Sequence, residues 1–274
     1  MGKIINLRNF RAYVNKVGGK GAPDWPIDDL LYLSIPTLAI RNLDYDETKK
    51  DRRFWALSWK GKKHTKLAFW VAGTILKQWQ AFRPHPSERL LKKIGRRIPR
   101  VINRFQTSMR KLGVKTVRDL PGSGYKYNTC LFEMARAVAS ISSIKKASNP
   151  MVGSKLLHFM LPEFFPVWDT YWIKKKALAD FKDRYDHIPV EVAQEIEKCR
   201  ATNGQTFVSA AREYASYVNL MLRDLSNTTD EDLQKIITAC LREGDMEREV
   251  VEGHFQNKDI SPMLFEICLL GRHC

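Results

Sequence analysis

Residues 151–170 read MVGSKLLHFMLPEFFPVWDT. Asn149-Pro150 and the small residues Gly153 and Ser154 form a turn that feeds a helix, and Gly153 lets the backbone come close to something. Lys155 stands at the beginning of that helix, among Leu156, Leu157, Phe159 and Met160, and Pro162 ends it. Fourteen residues after Lys155, Asp169 follows Phe164, Phe165, Pro166, Val167 and Trp168. A carboxylate rarely sits among so many apolar side chains without a partner or a task. Each residue has a structural and a chemical reading. Asp169 is an N-cap for a helix starting near Tyr171, or a carboxylate held for electrostatic work; the two are compatible. Lys155 is a surface lysine with its stem on Phe159, or an amine whose partial desolvation at a helix start disfavours the charged form.

Outward from this stretch the periodicity is helical almost throughout, and no convincing strand is found. Helices are expected over 6–16, 64–82, 87–112, 128–146, 170–181, 205–225, 230–242 and 261–270. The 87–112 helix pairs an apolar row (Leu90, Leu91, Ile94, Ile98, Ile102, Phe105) with a basic face that includes Arg96, Arg97 and Arg100, and Pro99 is a possible bend. That face reads as a phosphate-contacting stripe or as a solvated helix side. Thr228 and Glu231 have capping-box spacing. The chain is expected to form one unit or two intimate lobes, a basic one over 1–120 and a second over 121–274 carrying the Lys155–Asp169 segment.

Composition narrows the partner. The chain has 274 residues and a formal net charge of +16. Such an excess attracts a polyanion through counterion release; nucleic acid is expected, and an anionic membrane surface is the alternative. No apolar run reaches the length of a membrane span, and the N-terminus lacks the hydrophobic centre of a secretory signal, so an intracellular location is expected. The five cysteines never form a CxxC pair, so neither a disulfide framework nor a zinc finger is suggested. The nearest metal-ligand grouping, Asp180, Asp183, Asp186 and His187, reads as a solvated helix end.

On two local patterns, MVGSKLL and FPVWDTYW, the segment resembles the helix-hairpin-helix DNA glycosylases, the superfamily of endonuclease III and the 8-oxoguanine glycosylases. Met151 stands where the family has its first hairpin glycine, and the lysine-to-aspartate spacing is a few residues shorter than usual. The resemblance implies an all-α glycosylase-like fold around a helix-hairpin-helix-like element. By the same resemblance Lys155 matches the lysine nucleophile of the bifunctional members and Asp169 the aspartate of nearly all members. The cysteine cluster that holds iron-sulfur in some members is absent, so no cofactor and no metal are expected.

The implied activity is excision of a damaged or modified base from double-stranded DNA, in repair or in defence against modified foreign DNA. Base flipping needs a pocket with aromatic walls. Trp168, Tyr171, Trp172, Phe165 and His158 are the candidates, with Gly153, Ser154, Arg96, Arg97, Arg100, Lys174 and Lys175 for DNA contact. A non-catalytic DNA- or RNA-binding helical protein is the competing expectation.

Overall fold

The apolar row along residues 94–109 is the first feature to find its counterpart in space. In the computed structural model Ile94, Ile98, Ile102, Phe105 and Met109 are buried on one side of a single helix, Glu88–Leu112, with Pro99 inside it. The structure describes residues 3–17, 88–120, 122–145, 150–161, 163–178, 187–243 and 261–272. The helix expected over 64–82, and Asp180, Asp183 and Asp186, lie outside these.

Among the described residues the α-helices are α1 (Leu7–Val17), α2 (Glu88–Leu112), α3 (Tyr125–Ser142), α4 (Met151–Met160), α5 (Val190–Lys198), α6 (Arg200–Ser226), α7 (Asp230–Glu243) and α8 (Ser261–Gly271). Short 3-10 turns over Val117–Asp119 and Ser143–Lys145 and a π-helix over Thr170–Ala177 complete them, and these residues contain no strand. The all-α expectation therefore holds.

α3 is the axis. Its buried residues, from Tyr127 to Ser142, occupy nearly its whole circumference, and α2, α4, α5 and α6 pack around it. Small residues make this possible, since Ala135, Ala137 and Ala139 are all buried there. Gly153 of α4 lies against the same helix. A Cβ at that position would stand 2.1 Å from the Val138 carbonyl oxygen and 2.8 Å from Ser142 Oγ, and the Gly153 amide donates to that hydroxyl at 3.0 Å. The close approach that the glycine signalled is thus between two helices.

The ends of the chain meet. α1 packs against α7 and α8, and the Ile4 and Ile5 amides donate to the two carboxylate oxygens of Asp224 at 2.7 and 2.8 Å. One hydrophobic cluster runs from Ile4 to Leu269.

Local signals explain most helix ends. α2 stops at Gly113, which adopts a positive φ of 68°. The Gly113 amide donates to the Arg110 carbonyl and the Val114 amide to the Met109 carbonyl, the paired bonds of a Schellman motif. Gly204, with φ 78°, breaks the first turn of α6, so its continuous part begins at 205 as expected. The expected capping box is displaced by one residue. Thr229 Oγ1 accepts from the Asp232 amide, Asp232 Oδ2 accepts from the Thr229 amide, and Thr228 instead donates its hydroxyl to the Asp224 carbonyl.

Candidate functional site

α4 and the segment after it bring Lys155 and Asp169 together. Lys155 Nζ lies 3.1 Å from Asp169 Oδ2. The lysine side chain is 12% exposed and the aspartate 22%, so the pair is mostly enclosed yet reachable from outside. Taking two charges this far out of water costs free energy that their attraction alone need not return. Such a pair is retained for geometry or chemistry more readily than for stability.

The irregular segment over 163–169 is held by side chains. A buried stretch with no ladder of its own must find partners for its backbone groups elsewhere. His158 Nδ1 donates to the Phe165 carbonyl at 2.7 Å, the Tyr214 hydroxyl of α6 donates to the Pro166 carbonyl at 2.8 Å, and the Val167 amide donates to Glu266 Oε2 of α8 at 3.2 Å. The Trp168 amide donates to Ser154 Oγ at 3.0 Å. Residues 154, 155 and 158, one face of α4, therefore contact Trp168, Asp169 and Phe165 in turn. Asp169 is delivered to Lys155 by a fixed backbone.

Immediately beyond, the chain enters the π-helix. The Asp169 carbonyl accepts from the Ile173 amide at 3.1 Å and the Lys174 amide at 3.0 Å, the second being a five-residue step. Widened turns of this kind gather at functional sites. The sequence pattern over 170–181 gave an ordinary helix, because the wider repeat has no hydrophobic signature of its own.

Several candidates from the sequence take other places. Trp168, Phe165 and His158 are fully buried. Trp168 meets Tyr217 edge-on at 5.2 Å between ring centroids, and Phe165 lies 4.8 Å from Phe105 of α2. A base cannot stack on them without repacking the core, so in this conformation they back the site and do not line it. Gly153 and Ser154, expected at the DNA, are buried as well: one packs on α3 and the other bonds the segment before Asp169. Tyr171 and Trp172 belong to the π-helix next to Asp169.

The cations lie at the surface. Arg96, Arg97 and Arg100 are exposed on the side of α2 opposite the buried row, and none forms an ion pair among the described residues. Lys174 and Lys175 are exposed, and Lys174 pairs with Glu213 of α6. A cleft of about 680 Å³ lies between α5 and α6, with Val190, Ala193, Glu197, Arg212 and Glu213 in its wall. Neither Lys155 nor Asp169 lines it.

Glu266 is the residue that sequence reasoning missed. Burial pushes its carboxyl up to about 8, opposed by the Val167 amide and the Lys155 charge and assisted by Asp169. The signal existed: Glu266 is the lone acid in SPMLFEICLLG, as Asp169 is in its own apolar run. No group of three or more His, Cys, Asp or Glu that could hold a metal occurs among the described residues, and no helix there is long and apolar enough to cross a membrane. No protein-family model, curated protein or solved structure matches the chain significantly.

Proposed function

We propose that the chain is a DNA glycosylase of the helix-hairpin-helix type, which flips a damaged or modified base out of the duplex and cleaves its N-glycosidic bond. The observation that carries this reading is the enclosed Lys155–Asp169 pair, 3.1 Å apart and held by a fixed backbone segment.

The chemistry follows from the pair. Departure of the base leaves positive charge on the sugar, and the Asp169 carboxylate stabilises it in a poorly solvated setting. Lys155 becomes a nucleophile by losing a proton, and Asp169 Oδ2 is within reach to accept it. The Nζ–C1′ bond then forms as the C1′–N bond breaks, and the base leaves with that electron pair. Opening of the sugar gives an imine, from which β-elimination cuts the strand. In a monofunctional variant of this scheme water takes the place of the amine. Tyr171 and Trp172 are the remaining aromatic candidates for the pocket wall, and the α2 cations with Lys175 are the candidates for phosphate contact.

Borohydride trapping tests the scheme. With the correct base in DNA, the wild type should form a reduced covalent adduct that maps to Lys155, and Lys155→Gln should form none. An unchanged adduct in Lys155→Gln would assign the reaction to another amine. The exposed stripe on α2 favours the second reading, a binding protein, which predicts tight DNA association with no base released.

A further inference from the structure

Glu266 reaches the site from the far end of the chain, 99 residues beyond Val167 in sequence. Its Oε2 accepts the Val167 amide at 3.2 Å, two residues ahead of Asp169. α8, which carries it, packs against both the π-helix and α6. The charged and titratable groups facing it come from three directions: Lys155 on α4, Asp169 on the connecting segment and Tyr214 on α6. One cation and two carboxyls therefore meet in one partly enclosed place. A site short of water favours electrical neutrality, and Lys155 with Asp169 already provides it.

We infer that Glu266 is the positioning residue of this site, fixing the backbone that presents Asp169 and setting the local charge against which Lys155 gives up its proton. The inference rests on the glycosylase reading for its catalytic meaning. Burial pushes the Glu266 carboxyl up to about 8, so at neutral pH it is mostly protonated and adds no charge. On ionising it becomes a second anion beside the Lys155–Asp169 pair.

The first test is the rate of borohydride trapping by the intact protein from about pH 6 to about pH 9.5. Wild type should level off or decline above about pH 8. Glu266→Gln keeps an acceptor for Val167 and loses the titration, so it should match wild type within about twofold at neutral pH and exceed it about fivefold at the alkaline end. Glu266→Ala loses the acceptor together with the titration and should be about tenfold slower than Glu266→Gln at every pH. Superimposable profiles for wild type and Glu266→Gln would overturn the inference.

A second test needs no substrate: the titration of Glu266 followed by carboxyl NMR. Lys155→Met should raise its midpoint and Asp169→Asn should lower it, each by about one unit. A midpoint moved by neither variant would overturn the grouping. If both shifts appear with these signs while wild type traps no DNA, the three-group cluster stands and the proposed reaction fails.

Discussion

The α4 face with its following segment and the outer face of α2 both carry positive charge, and they use it in opposite ways. On α2, Arg96, Arg97 and Arg100 stand in solvent with no ion pair among the described residues, their cost of exposure close to nothing. On α4, Lys155 is almost enclosed and is matched to one carboxylate at 3.1 Å. The first arrangement spreads an interaction over many equivalent residues; the second concentrates it in one that has no substitute. Single substitutions should therefore break the α4 region, whereas α2 should yield only to several at once.

The largest effect is expected at Asp169. Asp169→Asn should slow base release by roughly two to three orders of magnitude, with DNA affinity nearly unchanged. Single-turnover assays beside a binding titration measure both, and a parallel loss of affinity would make Asp169 a structural residue. Next comes packing beneath the site. Gly153→Ala would drive a methyl group against the Val138 carbonyl, a backbone atom with little room to move. It should cost about 2 to 3 kcal/mol in urea unfolding, and a cost near zero would mean that α3 and α4 are more loosely joined than described.

Stability should also depend on pH through Glu266. The unfolded carboxyl loses its proton near 4.5 and the folded one near 8, so the folded chain holds the extra proton between these values. The stabilisation is full below about 4.5 and is lost as pH rises through about 8. Glu266→Gln should flatten that slope in thermal melts, and a slope retained by the variant would trace it to another group. The smallest effect per residue belongs to α2. Neutralising Arg96, Arg97 and Arg100 together should reduce the salt slope of DNA affinity by about 3 if each meets a phosphate, and an unaltered slope would move those contacts elsewhere.

How much of this was legible in the sequence differs between the two regions for the same physical reason. α2 announced itself, because apolar and basic residues separate cleanly on a helix of 25 residues. The pairing of Lys155 with Asp169 was suggested by two charges in apolar settings and by a family resemblance, but the stitching was not. Ser154, His158, Tyr214 and Glu266 act on backbone groups, and no residue pattern names the backbone group that a side chain will bond; of the four, Glu266 alone stood out, as the one acid of its apolar helix. Trp168 and Phe165 looked like pocket walls because an aromatic run serves a pocket or a core equally well; neighbours from α2 and α6 decided for the core. α5 was missed altogether, since only Val192 and Ile196 of its nine residues are buried and the rest is largely charged or polar. Thr228 and Thr229 are equivalent as letters, and only the position of Asp232 decides which of them caps α7.

The central claim is that an enclosed lysine–aspartate pair removes a base from DNA. Mass spectrometry of free bases released from damaged, genomic and modified viral DNA tests it most directly, with wild type and Asp169→Asn run side by side. One base released by wild type and not by the variant is the predicted result, and it would identify the substrate at the same time. Tight binding to every DNA with no base released from any of them would contradict the claim.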